Sequence, residues 1–195
     1  MTKQNINSKK GFTIIEVVLV LAIAGLIFLM VFIAYPALRR SQSDTQRRED
    51  MSKALSQLTS YITNNRKPPR AEKDYGMIDT GKDPNEAKAD TGGANFFYNY
   101  LSKQAEGFTD PSDGNPYLPA YAGKCSQAVG VSCWGSGKNE KNLAKPTTLD
   151  HKVYYFYKAK CDDDSDDVVG ASGEKEVAIA YYLESGGMYC GSNTN

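Results

Sequence analysis

The stretch Lys9-Lys10-Gly11-Phe12-Thr13-Ile14-Ile15-Glu16, continuing as VVLVLAIAGLIFLMVFIAYPAL from Val17 to Leu38, decides how this chain folds. Lys3, Lys9 and Lys10 are the only charges before Gly11, and the 22 residues from Val17 to Leu38 carry none. A run of that length crosses a hydrocarbon core as a helix. The basic side stays in the cytoplasm, so everything after Leu38 is expected outside. An ordinary signal peptide has its small-residue cleavage site after the apolar core. Here the small residue, Gly11, precedes that core. A cut after Gly11 leaves the membrane segment on the mature chain, with Glu16 four residues from the new amino terminus.

Basic leader, Gly-Phe junction, Glu16 and long apolar run together closely resemble the class III signal of type IV pilins and type II secretion pseudopilins. The likeness covers residues 8 to 40. It implies that a prepilin peptidase cuts after Gly11 and N-methylates Phe12, and that Glu16 is the acidic residue used in assembly. In that family a glycine–proline stretch of the stem is often melted in the filament. Gly25 matches the family position, whereas Pro36 sits a few residues later than in many members. The plainer alternative is a simple membrane anchor with a stray glutamate.

The apolar helix is expected to continue past the membrane. RRSQSDTQRREDMSKALSQLTSYITNN after Leu38 is polar but helix-compatible, and Met51, Leu55, Leu58 and Ile62 recur at helical spacing, with Ala54 and Tyr61 beside them. That stripe predicts burial against a head. Pro68 and Pro69 stop the helix near Asn64. Phe12 to Asn64 then spans roughly 80 Å at about 1.5 Å per residue, of which the membrane takes about 30 Å. Pro36 removes the hydrogen bond to the Phe32 carbonyl and is expected to kink or loosen the helix.

The expected parts are a leader over residues 1–11, a membrane and filament-core half over 12–38, an amphipathic half over 39–65 and a head over 66–195. Residues 66–150 are rich in Gly, Pro, Asp and Asn and read mostly as loop, with one short helix where Phe97, Tyr100 and Leu101 share a face. The sheet is expected within 151–190. HKVYYFYKAK (His151 to Lys160) predicts one strand with Val153, Tyr155, Tyr157 and Ala159 on one side, and EVAIAYYL (Glu176 to Leu183) another with Val177, Ile179, Tyr181 and Leu183 together. Met188 to Cys190 adds a short third. Two or three antiparallel strands on the helical stripe make a small α+β domain, the helix supplying the cover that a small sheet needs.

Net charge is zero, but unevenly spread. Residues 71–195 hold 12 lysines, no arginine and 19 acids. Such a head is a poor general nucleic-acid surface, because phosphate contacts supply most non-specific affinity; DNA binding is not indicated. All four cysteines, 125, 133, 161 and 190, lie in the part expected outside, where an even count favours disulfides. Three pairings are possible. Cys125 with Cys133 closes a small loop and Cys161 with Cys190 ties two strand ends, which makes this the preferred set. A zinc site is the alternative, but the spacings match no common finger and His151 has no histidine partner.

A lone carboxylate in hydrocarbon costs several kcal/mol unless neutralised or paired. For Glu16 the functional reading is a pair with the Phe12 amine of a neighbouring subunit, which selects axial stagger; the bland one is snorkelling to the headgroups. The arginines at 39, 40, 47 and 48 are expected either to meet acids such as Asp44, Glu49 and Asp50 on adjacent subunits or to form a solvated face. The run Asp162-Asp163-Asp164-Ser165-Asp166-Asp167 raises a weak calcium reading through Asp163, Asp167 and Glu174, with Ser165 between, against which Val168 stands where the turn glycine is needed. A hydrated loop is the plainer reading. The head's 11 tyrosines are expected mainly in packing. No catalytic constellation, phosphate loop or cofactor motif is evident, and His151 lacks a nucleophile.

The resemblance thus implies a non-enzymatic subunit, membrane-bound as a precursor, that polymerises with identical subunits through its N-terminal helix. Its partners would be the prepilin peptidase and inner-membrane assembly machinery, and its tasks adhesion, twitching motility or DNA uptake. A minor pilin or pseudopilin shares the same stem. A membrane-tethered monomeric binding protein or enzyme is the reading from another class.

Overall fold

A computed structural model describes residues 11–75, 96–102 and 108–194. The chain divides into two compact units, residues 1–39 and 40–195. One helix, α1 (Ile14–Asn65), contributes to both, and its 52 residues run through Gly25 and Pro36 without a break in the helical assignment. Asn65 closes it: its side-chain amide donates to the Tyr61 carbonyl at 2.9 Å. Arg66 follows in the left-handed region at φ 59°, and Pro68 and Pro69 bar further helix.

In the second unit α1 buries Met51, Ala54, Leu58, Tyr61 and Ile62, and Leu55 packs beside them half-buried. The apolar stripe accounts for that face. After α1 come a one-turn helix α2 (Glu72–Tyr75) and a π-helical turn (Phe97–Ser102) that buries Phe97 and Leu101 and packs Tyr100 against the same core. The short helix expected there is therefore present in the wider π form.

The main sheet has four strands in the order β1 (Leu118–Lys124), β2 (Lys152–Tyr157), β5 (Val177–Tyr182), β6 (Met188–Ser192). β5 pairs antiparallel with both β2 and β6, but β1 and β2 are parallel. The three strands expected, β2, β5 and β6, are antiparallel as predicted, and the sheet gains a fourth, β1, parallel to β2 at its edge. β1 was not expected, because Pro119 and Gly123 punctuate its sequence like a loop. An edge strand tolerates the proline. Gly123 adopts φ +81° at a register shift, where an added Cβ would lie 2.5 Å from the Glu140 carboxylate, so glycine is required there.

The expected strand over 151–160 is in fact two. Lys158 takes φ 55°, ending β2, and β3 (Ala159–Cys161) leaves to pair with β4 (Val168–Gly170) in a separate two-stranded sheet. Val153, Tyr155 and Tyr157 do face the α1 core, whereas Ala159 joins the other cluster because the chain turns at Lys158. Val177, Ile179, Tyr181 and Leu183 all lie on the α1 side, as their alternation predicts.

The far face of the sheet is covered too. Ala120, Ala122, Tyr154, Phe156, Ala178, Ala180 and Met188 pack with Trp134 and the disulfides. The Trp134 ring sits edge-on to Phe156 at 4.7 Å and to Tyr154 at 5.2 Å. Two covered faces explain why the run Val153–Phe156 is buried at every position rather than alternately. Most tyrosines serve this packing: Tyr155 stacks on Tyr75 at 4.6 Å and donates its hydroxyl to the Pro69 carbonyl at 2.9 Å. The disulfides join Cys125 to Cys133 and Cys161 to Cys190, the second fastening β3 to β6.

Candidate functional site: the amino-terminal junction and the neck of the head

In the first unit, no residue from Gly11 to Arg39 is buried; Phe12 is 90% exposed and Ile14 86%. Among the described residues this is also the only helix long and apolar enough to cross a membrane. A helix apolar all round has no water-facing side and suits a site surrounded by lipid or by other helices.

Its start is built locally. Thr13 is the residue before the first helical turn and Glu16 the third within it, the spacing of a capping box. The Thr13 amide and hydroxyl both donate to Glu16 Oε2, at 2.8 and 2.7 Å, and the Glu16 amide returns to the Thr13 hydroxyl at 3.4 Å. Oε1 takes no hydrogen bond among the described residues. An acid at this end also meets the positive pole of the helix. Sequence reasoning singled out Gly11, Phe12 and Glu16 but passed over Thr13, although Thr13-x-x-Glu16 is a legible capping signature. Phe12, Glu16, Val17, Val20 and Leu21 line one open apolar face.

The second polar cluster was not foreseen. At the start of the head, α1 buries Ser43, Asp44, Arg47 and Asp50 on the face that later buries Met51, Ala54 and Leu58. Arg47 is fully buried and makes five hydrogen bonds. Nε and Nη2 grip Asp110 at 2.8 and 2.7 Å, Nη1 reaches Asp44 at 2.8 Å and Glu184 at 3.1 Å, and Nη2 also reaches Ser112 at 2.9 Å. Asp44 accepts the Glu184 and Ser185 amides at 3.0 and 2.9 Å, and the Tyr181 hydroxyl donates to Asp110 at 2.8 Å. One helical residue thereby ties α1 to the loop before β1 and to the turn after β5.

Burial works against the charge of Asp110, but the hydrogen bonds from Arg47, Ser112 and Tyr181 outweigh it and hold the carboxyl well below its usual range. Asp44 is lowered by the same balance, burial opposed by Ser185, Arg47 and the Glu184 amide. For Arg47, burial is outweighed by Asp110, Asp44 and Glu184, which keep the guanidinium charged. Asp50 behaves oppositely: burial raises it despite Lys53 at 3.2 Å and the Tyr117 hydroxyl at 3.4 Å.

The alternatives of an intersubunit or solvated Arg47 are thus corrected, since its partners lie within the head. Arg48 remains outside, its guanidinium 5.7 Å over the Tyr189 ring, and Arg40 reaches Glu184 at 3.7 Å. The signal that could have found Arg47 was the phase of the apolar stripe: one turn back from Met51 lies Arg47, and another reaches Asp44 and Ser43.

The weak calcium set does not form. Asp167 pairs with Lys145 at 3.1 Å and Glu174 with Arg70 at 3.3 Å, and Asp163 joins neither. Among the described residues, Asp110, Asp113 and His151 are the set of ligand-type side chains that does converge. His151 Nδ1 lies 3.5 Å from Asp110 and Nε2 3.5 Å from Asp113. The two ring nitrogens face different carboxylates, and Arg47 already holds both Asp110 oxygens.

Residues 6–32 match the family described as the prokaryotic N-terminal methylation motif. No curated protein and no solved structure matches the chain. The match spans the Gly11–Phe12 junction, the Thr13–Glu16 cap and the apolar half of α1 together, and it identifies this segment as the class III signal of type IV pilins, carried here on a long helix with a small α+β head.

Proposed function

We propose that this chain is the structural subunit of a type IV pilus: cleaved after Gly11, methylated at Phe12, and polymerised into a surface filament through α1. The observation that carries the reading is the apolar half of α1, without a buried residue anywhere from Gly11 to Arg40 and headed by the methylation motif. In the precursor that surface is covered by the bilayer. In the filament it is covered by equivalent helices from other copies. Glu16, at the fifth position of the cleaved chain, pairs with the Phe12 ammonium of a neighbour. Inside a bundle that pair makes misregistered neighbours costly, since each would bury an unpaired charge. The two disulfides suit a head displayed outside the cell. Prepilin peptidase and the inner-membrane assembly machinery are its processing partners, and adhesion, twitching motility or DNA uptake are the filament's tasks.

Replacing Glu16 with alanine tests the reading. Cells expressing E16A as their sole copy are expected to accumulate processed protein in the membrane with little in the sheared surface fraction. Normal filaments from E16A would overturn it. Low abundance of the unsubstituted chain in long filaments would instead assign the subunit to a pilus tip or a short secretion filament.

A further inference from the structure

His151 is the one histidine in the chain, and so the one side chain whose ordinary titration falls between pH 5 and 8. The fold sets it at the edge of the neck network. Its carbonyl accepts the Leu118 amide at 2.9 Å, and its backbone stands in the left-handed region at φ 56°, which histidine tolerates better than most residues. The ring is thereby held between the loop before β1 and the start of β2. Nδ1 faces Asp110 Oδ2 and Nε2 faces Asp113 Oδ2, each at 3.5 Å. We propose that His151 is a proton-operated latch of the neck: its imidazolium form bridges Asp110 and Asp113 and closes the network around Arg47, and its neutral form releases that bridge. The inference concerns the head alone and stands whether or not the chain polymerises.

The chemistry of the ring makes the bridge depend on the proton. A neutral imidazole has one N–H, so one ring nitrogen turns a lone pair toward a carboxylate; the imidazolium has two donors and serves both directions. Nδ1 is buried without a hydrogen-bond partner among the described residues, which is a cost in the neutral ring and an ion pair in the charged one. Acids outnumber bases around it. Asp110 and Asp113 face the ring from the loop before β1. Behind Asp110, α1 brings Arg47 and Asp44, β5 brings the Tyr181 hydroxyl, and the turn after β5 brings Glu184. Arg47 opposes a second cation, but Asp44, Asp110 and Glu184 already match it. Next to His151 in the chain, Asp150 is engaged by Lys152 and the Tyr154 hydroxyl. Burial opposes the charge on Asp110, yet Arg47, Ser112 and Tyr181 keep it ionised. Asp113 is held below the usual carboxylate range chiefly by the Asn115 amide. Both acceptors therefore stay charged wherever the imidazole titrates. The linkage has one sign: a bridge present only in the protonated head strengthens the fold at acid pH and is lost as the pH rises through the imidazole range.

The test compares the mature chain in detergent with His151→Asn, which keeps a polar residue that accepts the left-handed backbone but does not titrate. Urea unfolding of both, with a chelator present, is followed from about pH 5.5 to about pH 8.5. The amino terminus titrates over part of this span in both proteins, so their difference cancels it. The folded-to-unfolded ratio of the unsubstituted chain, relative to H151N, is expected to fall about tenfold across the range, which is about 1.4 kcal/mol. Asp113→Asn leaves the ring in place and removes one acceptor charge at an exposed position, so it keeps the test open if H151N does not fold. In D113N the fall measured directly between the two ends of the range is expected to be smaller than in the unsubstituted chain by about threefold. Zinc added without the chelator is expected to change nothing. Parallel pH curves for H151N and the unsubstituted chain would overturn the proposal, as would a D113N curve that matches the unsubstituted one. Stabilisation by zinc that H151N abolishes would overturn it too, because the three side chains would then be a metal site.

Discussion

Substituting Arg47 with alanine should loosen the head more than any single apolar truncation on the exposed half of α1. The side chain is fully buried and gives five hydrogen bonds to Asp110, Asp44, Glu184 and Ser112. Removing one partner of a buried ion pair costs about 3–5 kcal/mol, because the remaining charge is stranded. Here the stranded groups keep some partners. Asp110 retains the Tyr181 and Ser112 hydroxyls, and Asp44 retains two backbone amides. The lower end applies, about 3 kcal/mol, or roughly 6–12 °C in Tm for a chain of this size. Thermal and urea unfolding of the mature chain in detergent, followed by near-UV circular dichroism, measures it. The pH dependence gives a second handle. Asp44 and Asp110 have depressed folded pKa values, so their stabilising contribution is complete above the ordinary carboxylate pKa of about 4 and is lost as pH falls through the folded values. R47A lacks the guanidinium responsible for much of that depression. The stability gap between the two proteins should therefore be widest near neutral pH and narrow progressively once the pH falls below the ordinary carboxylate pKa of about 4. A gap below about 1 kcal/mol at neutral pH, or one that does not change with pH, would refute the argument.

Other expectations follow from the same structure. Asp50 is buried with its pKa raised, so its ionised form burdens the fold at neutral pH; D50N should stabilise the head at pH 7, with the gain fading as acid protonates the wild-type residue, and a destabilised D50N at pH 7 would contradict this. The disulfides differ in reach, with sequence separations of 8 and 29. Chain-entropy arguments put their contributions at about 2.5 and about 3.6 kcal/mol, so the C161S/C190S pair should unfold at lower urea than C125S/C133S, and the reverse order would show that loop length is not the dominant effect.

What the sequence revealed depended on whether a segment carried one constraint or several. The apolar run, the Gly11–Phe12 junction and the stripe Met51–Leu58–Ile62 each obey a single strong rule and could be read directly. β5 was legible for the same reason, its alternation being set by two covered faces of unequal residue size. β1 was not, because Pro119 and Gly123 are loop residues by composition and are used here at an edge and a bulge. The division at Lys158 depends on one left-handed residue that no local pattern announces. Arg47 was misread because charge was given more weight than helical phase. Its partner Asp110 lies 63 residues away, and only the fold reveals that pairing. The acidic run 162–167 raised a weak calcium reading beside that of a hydrated loop; in the structure Asp167 pairs with Lys145 and Asp162 accepts from the Ser165 hydroxyl.

The central claim is tested most directly by the intact mass, with amino-terminal fragmentation, of protein sheared from the cell surface. The account predicts a chain that begins at N-methylated Phe12, recovered as a main component of long filaments. Its two disulfides make it four hydrogens lighter than the reduced form. A chain that still begins at Met1, or one retained wholly in the membrane, would contradict it and leave an anchored protein whose head works alone.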